Sequence, residues 1–320
     1  MRTKTLGRTG LSVTIVGLGT AFTGIPALNP NALGYEDLAN DMDMDLGEQT
    51  VIAAMEAGCT LIDTAALYGA TRCERMIGRA LAARPDLAAR GIVTTKAGRT
   101  IAGQDYSYDA VMRSVAASQE RLGLDHFEVV YIHDAMGVPM AEVMGKRGAL
   151  GALRSLQDQG VVRFVGTAAD DPATNTLYIE TGEFDAAVVP RAWSLLNQLA
   201  AEHILPAAEK YNVGLVIANP IERGLLATGP IPGTYYFDRT YSQEVQAHVG
   251  KIKALCDSYG VPMLAVALQW IVRHPQIAAA VPGARTPQEA IANAQAAAIA
   301  VPDGLWAELQ PMVRHWEVGR

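Results

Sequence analysis

Residues 127–167 read FEVVYIHDAMGVPMAEVMGKRGALGALRSLQDQGVVRFVGT. The stretch opens on a nearly all-apolar run (FEVVYIH, 127–133) and passes through a helical segment that stops at glycine (GALGALRSLQDQG, 148–160). It then closes on a second β-branched run (VRFVGT, 162–167). Strands that are apolar throughout, rather than on alternate residues, are covered on both faces, as in a parallel sheet. Two parallel neighbours need a crossover of helical length between them, and this segment supplies one. The same unit recurs in both directions. Strand candidates lie at 13–19 (VTIVGLG), 60–65 (TLIDTA), 91–96 (GIVTTK), 185–190 (DAAVVP), 214–219 (GLVIAN) and 277–283 (IAAAVPG). Helical patterns such as EQTVIAAMEAG (48–58), RCERMIGRALAA (72–83), DAVMRSVAASQERLG (109–123) and HILPAAEKYN (203–212) separate them, several stopping at Gly or Asn. Eight such units predict an α/β fold, a closed (β/α)8 TIM barrel.

Two elements fall outside that count. KTLGRTGLSVT (4–14) reads as an N-terminal hairpin around GRTG, covering the barrel floor. The stretch 241–260 adds an extra helix to the seventh connection, ahead of the helix LAVALQWIVRH (264–274). No linker or low-complexity tract divides the chain, so residues 1–320 are expected to form a single domain. The rival architecture is a doubly wound dinucleotide fold, suggested by GLGTAF (17–22). Phe22 stands where a third small residue is needed for helix–strand packing, and the barrel is the better reading.

Half of the residues are apolar and 18% are charged, ample for a large core. A net charge of −7 argues against a nucleic-acid partner, which a basic surface would announce. Cys59, Cys73 and Cys256 are odd in number and widely spaced, which disfavours disulfides and zinc and fits a reducing compartment. MRTKTLGRTGLSV (1–13) is basic but holds no apolar stretch of signal-peptide length, and no run approaches bilayer-spanning length. The expectation is a cytoplasmic protein with no membrane partner. Its oligomeric state is not legible.

In a barrel the C-terminal strand ends converge on one site. The second strand ends in Asp63 with Tyr68 on its loop, the third in Lys96 and the fourth in His133. A phenol has a reference pKa near ~10 and exchanges protons poorly at neutral pH. A neighbouring ammonium stabilises the phenolate. Lys96 supplies that charge, and Asp63 pairs with Lys96, which also compensates the burial of the carboxylate. His133 is placed to hydrogen-bond a substrate oxygen. The set suits proton transfer at an alcohol or carbonyl oxygen. It contains no nucleophile and no metal cage, so hydride transfer with a nicotinamide is the natural complement.

Together with LGRTGLSV (6–13), GCTLIDTAALYG (58–69), TTKAG (94–98), RLGLDHFEVVYIHD (121–134) and GVVRFVG (160–166), these residues resemble the aldo-keto reductase family along nearly the whole chain. The stretches at 106–134, 194–198 (SLLNQ) and 254–270 resemble its D-threo-aldose (L-fucose), L-galactose and pyridoxal dehydrogenase branch. The resemblance implies Asp63, Tyr68, Lys96 and His133 as catalytic residues, with Tyr68 the general acid/base. It also implies NADP or NAD across the barrel top, with contacts at Gly19, Thr20, Asn219, Pro220 and Gly283.

Departures bear on the coenzyme. Ala168 and Ala169 replace the Ser and Asn that in many members hold the carboxamide, leaving Asp170 as an acceptor, and Pro190 replaces a common Gln. Trp193 is expected to stack on the nicotinamide. After the eighth strand Arg285 and Thr286 offer an anion site at a helix N-terminus, while Glu289 stands where NADP-preferring relatives often carry Arg. Arg285 argues for NADP and Glu289 for NAD. Asn293 matches an adenine-binding position.

On the substrate side, the first loop (21–45) is long and acidic, and its DMDMD (41–45) is expected to be solvated rather than a calcium loop. GTYYFDRTY (233–241) is dense in aromatics. A small-molecule sugar is the leading substrate. The same chemistry on a larger secondary alcohol, ketone or aldehyde is the alternative. An NADPH-binding regulatory barrel, like potassium-channel β subunits, is the third reading.

Overall fold

Eight parallel strands succeed one another in chain order: Leu18–Gly19 (β1), Leu61–Asp63 (β2), Ile92–Ala97 (β3), Phe127–His133 (β4), Val162–Ala168 (β5), Ala186–Pro190 (β6), Gly214–Ala218 (β7) and Ile277–Val281 (β8). The computed structural model describes residues 1–29 and 35–318. Each strand pairs in parallel with the next. β8 returns to β1 through the bridges Val16↔Ala280 and Gly19↔Gly283. The sheet therefore wraps into the expected (β/α)8 barrel.

The helices that cover it are Met44–Glu56 (α1), Arg72–Ala83 (α2), Tyr108–Leu122 (α3), Ala149–Asp158 (α4), Pro172–Glu180 (α5), Ile204–Tyr211 (α6), Met263–Ile271 (α7) and Pro287–Ala296 (α8). Stops match the sequence signals: Gly123 ends α3 and Asn212 ends α6, both left-handed, with φ 66° and 51°. The extra helix of the seventh connection is Gln243–Ser258. Among the described residues no single helix is long and apolar enough to cross a membrane. Gln243–Ser258 and Met263–Ile271 pass that test only as a pair, bent by 103°.

Two expectations need correction. The run 13–19 is not one strand. Ser12–Thr14 pairs antiparallel with Thr3–Thr5 in the floor hairpin, and only Leu18–Gly19 pairs along β2. The chain must leave the hairpin before it can join the barrel. The acidic stretch 41–45 is exposed at Asp43 and Asp45, as expected, but it is not all loop. Asp43 accepts from the backbone N–H groups of Asp45 and Leu46 and so starts α1, and Asp45 pairs with Arg79.

The barrel interior is filled from below. Leu6, Leu11 and Val13 of the hairpin pack with Leu61, Val129 and Tyr131 on the strands. Burial of each such side chain is worth about 1.5–3 kcal/mol. A larger apolar layer lies between the strands and the helices. The apolar plug ends one layer below the strand tips, and the site begins there.

Candidate active site

Side chains alternate along a strand, so a residue two beyond a core residue shares its inward face. Asp63 stands above Leu61, Lys96 above Thr94 and His133 above Tyr131. All three reach one cavity at the C-terminal mouth, which Tyr68 and Leu67 also line. Asp63 lies opposite Thr94 in the pairing of β2 with β3, so Lys96 sits two residues higher and reaches back to it. Lys96 Nζ donates to Asp63 Oδ2 at 2.7 Å and to the Thr64 carbonyl at 2.8 Å. Thr94 Oγ1 donates to the other carboxylate oxygen at 3.2 Å. Lys96 and Asp63 are only 1% and 3% exposed, and an unpaired charge at that depth would be strongly destabilising.

Tyr68 opens a tight turn after β2 in which Gly69, Ala70 and Thr71 all take positive φ. A Cβ on Gly69 would lie 2.2 Å from Met42 Sδ, so the Met42 side chain would have to move. The turn presents the phenol ring 4.7 Å from Lys96 Nζ and edge-on to the His133 ring, with centroids 5.9 Å apart. The His133 imidazole is held well below its ordinary pKa by burial, with Lys96 and Arg99 adding repulsion. It is therefore neutral. Its Nδ1 is buried without a partner among the described residues, and Nε2 lies 3.7 Å from Asp134 Oδ2.

The four residues singled out as catalytic are thus brought together. Of the coenzyme positions, Gly19, Thr20, Asp170, Asn219 and Gly283 line the same cavity. Thr20 anchors the β2 tip, its N–H and hydroxyl both donating to the Asp63 carbonyl. Pro220 is buried just beyond Asn219. Asn293 is buried and donates to the Gly283 carbonyl at 3.3 Å. Thr286 caps α8, accepting from the Glu289 N–H at 3.4 Å.

Trp193 is a correction. It stacks on Trp270 at 5.0 Å and stands edge-on to His274, in the layer outside the barrel. Two residues earlier Arg191, left-handed at φ 55°, lines the cavity, whereas Trp193 packs on the outer layer. Arg285 and Glu289 are not rivals either. Arg285 Nη2 and Nε bond Glu289 Oε1 at 2.7 and 3.1 Å, while Oε2 accepts the Arg285 N–H at 2.8 Å. Asp170 pairs with Arg191 at 3.1 Å.

The sequence reading missed four charged residues just past the strand ends, of which only Asp134 and Arg191 directly follow a strand. Arg99, Asp134, Arg191 and Arg223 all line the cavity. Asp134 takes the Arg99 guanidinium and the Asp170 N–H. Asp238, in the aromatic-rich loop, accepts from both Arg191 and Arg223. Burial would raise the Asp238 carboxyl, but those two cations hold it below the usual range. Beside it Phe237 meets Phe22 of the first loop edge-on at 5.2 Å, with Arg223 over both rings. Among the described residues no cluster of His, Cys, Asp and Glu is arranged to hold a metal.

A pyridoxal 4-dehydrogenase of Microbacterium luteolum is 29% identical over 96% of both chains. A D-threo-aldose 1-dehydrogenase of a Pseudomonas species is 29% identical over 93% of this chain and 97% of its own. An NADH-specific methylglyoxal reductase of Escherichia coli is 26% identical over 95% of each. The holo form of an aldo-keto reductase from Bacillus halodurans has the same fold, with a TM-score of 0.76 at 22% identity over 98% of this chain and 97% of its own. Residues 19–313 match the aldo/keto reductase family. The chain belongs to that family and is an NAD(P)-dependent oxidoreductase.

Proposed function

We propose that the chain oxidises a hydroxyl-rich alcohol, an aldose at its anomeric carbon being the leading substrate, with Tyr68 as general acid/base. One observation carries the catalytic part: the Lys96 ammonium lies 2.7 Å from the Asp63 carboxylate and 4.7 Å from the centre of the Tyr68 ring. The dehydrogenases of pyridoxal and D-threo-aldose among its relatives support the direction and the polar substrate.

A cation beside the ring stabilises the phenolate that forms whenever Tyr68 gives up its proton. Asp63, fixed by Lys96 on one oxygen and Thr94 on the other, keeps that cation in place. Tyr68 then takes the proton of the substrate hydroxyl in oxidation and returns it in reduction. His133 stays neutral. Its Nε2, on the side of Asp134, is the nitrogen placed here to donate to the same substrate oxygen. The nicotinamide of NAD or NADP supplies hydride exchange at carbon.

The residues present fit such a coenzyme. Asn219 Nδ2 is buried without an acceptor among the described residues, the condition of a donor whose partner is a ligand. At Gly283 a Cβ would meet nothing nearer than the Gly19 carbonyl at 4.0 Å, so the backbone there is open to close approach. Thr20, Asp170, Asn219 and Gly283 are the residues that would hold it. Cys59, Cys73 and Cys256 are all buried and unpaired, which supports a cytoplasmic location.

The test is growth of reduced nicotinamide absorbance with NAD or NADP and a panel of aldoses and bulkier secondary alcohols. Turnover of an aldose is expected. Silence on every sugar with turnover of a bulky alcohol overturns the substrate and leaves the chemistry. Tyr68→Phe is expected to lose about 10²–10⁴-fold in turnover while still binding coenzyme. Wild-type turnover in that variant removes Tyr68 from its role.

A further inference from the structure

Past Lys96 the chain forms a small hairpin, Arg99–Thr100 against Gly103–Gln104, that no part of the proposed chemistry uses. It is fastened to the tip of β4. Gln104 Nε2 donates to the Asp134 carbonyl at 2.8 Å, and the Tyr106 hydroxyl lies 2.6 and 2.7 Å from the carbonyls of His133 and Asp134. Gly98 makes this possible, since a Cβ there would lie 2.4 Å from the Tyr106 ring. The hairpin delivers one side chain to the cavity: Arg99, about a third exposed, paired with Asp134.

Asp134 carries a strained backbone, with φ 50° in a residue other than glycine. Such strain persists only where the surroundings impose it, and it gathers at functional sites. Its effect is to bring the carboxylate to the cavity, with Oδ1 accepting the Asp170 N–H at 2.9 Å and Oδ2 facing both Arg99 and His133 Nε2. Asp134 Oδ2 is 3.7 Å from the nitrogen assigned to the reacting oxygen. On that placement a group on the adjacent substrate carbon would lie within reach of both.

The pair offers donors and acceptors together, since a guanidinium has five N–H groups and each carboxylate oxygen has more than one lone pair. A hydroxyl, which donates and accepts, matches such a pair. A carboxylate or phosphate on the substrate would meet the negative charge of Asp134. An apolar group would cover two hydrated charges and replace none of their hydrogen bonds, at a cost. We propose that Arg99 and Asp134 read a hydroxyl on the carbon next to the reacting one. The enzyme then selects 2-hydroxy carbonyls, their vicinal diols and cyclic hemiacetals over the 2-deoxy counterparts. The inference rests on the oxidoreductase site proposed above and names the feature of the substrate that this site selects.

The experiment measures kcat/KM for matched pairs, an aldose against its 2-deoxy form and a 2-hydroxy aldehyde against the aldehyde without that hydroxyl, with NAD and NADP. The wild type is expected to favour the hydroxylated member about 10- to 100-fold, the range of a hydrogen bond to charged groups. In Arg99→Met that ratio falls toward one, and Arg99→Lys restores part of it. Thermal melts accompany each variant, and Asp134→Asn carries the comparison should Arg99→Met not fold. A wild-type ratio near one overturns the assignment while leaving the oxidoreductase site standing. So does an equal loss on both members in Arg99→Met, which would make Arg99 a structural support of the hairpin. Turnover of no member by the wild type overturns the site reading, and the hydroxyl-reading pair with it.

Discussion

Lys96 has the fewest alternatives of any residue in the site. It is buried, and its ammonium is divided between the Asp63 carboxylate and the Thr64 carbonyl. Lys96→Met would leave Asp63 charged, buried and without its cation, a loss of about 3–5 kcal/mol of stability. Residual activity in that variant is expected to move its pH optimum upward, because the phenolate of Tyr68 loses its stabilising charge. An unchanged profile would take Lys96 out of the proposed role. His133 gives a second prediction with a definite sign. Unfolded, its imidazole titrates near ~6.5; folded, it is held well below that value by burial, Lys96 and Arg99. Between those two values the unfolded chain binds more protons, so stability is intact above about 6.5 and falls as pH drops below it. His133→Asn is expected to shrink the difference in denaturant midpoint between neutral and mildly acidic buffer. His248 and His274 are also held low, so some slope remains. A variant as acid-sensitive as the wild type would show that His133 is not held neutral by the fold.

At the level of elements, the start of α8 decides how the coenzyme question is put. An open arginine at a helix N-terminus is an anion site. Here Glu289 supplies the anion from within, taking the Arg285 side chain and its N–H together. On the proposed placement of the coenzyme, a 2′-phosphate must compete with that carboxylate, whereas a ribose hydroxyl need not. Glu289→Gln is expected to shift the kcat/KM ratio of NADP over NAD upward by about tenfold, the worth of one charge-assisted contact. A ratio unchanged by the substitution would place Arg285 outside the coenzyme contacts. The same element shows the limit of spacing rules. Arg285 precedes the Thr286 cap, outside the helix, so its pairing with Glu289 follows from the turn into α8 and not from helical spacing.

For the whole molecule, the mouth and the floor are closed by different means. Phe22, Phe237 and Arg223 join the first loop to the seventh connection at the mouth. At the floor the hairpin meets the base of β7 backbone to backbone, and a Cβ on Gly214 would lie 2.4 Å from Leu6 C and 2.6 Å from Gly7 N. Gly214→Ala is expected to cost about 1–3 kcal/mol, the range for overpacking a filled site. Denaturant unfolding measures it, and an unshifted midpoint would mean that the hairpin is only loosely seated.

The sequence by itself determined the barrel, because eight largely apolar runs with helical crossovers can bury both faces of every strand in few other ways. It also determined that Asp63, Lys96 and His133 meet, since each ends a strand and adjacent parallel strands bring their ends together. Tyr68 was legible for the same reason, being on the loop that follows Asp63. The tertiary structure alone decided where residues beyond the strand tips point. Arg191 and Asp134, both left-handed, line the cavity, and Trp193 stacks on Trp270 instead. It also decided that Arg285 is paired with Glu289 and Arg99 with Asp134. Alternation along a strand fixes a side chain's direction from its position in the chain. Past the last strand residue, direction depends on backbone turns and on charges from distant segments, which no local pattern records.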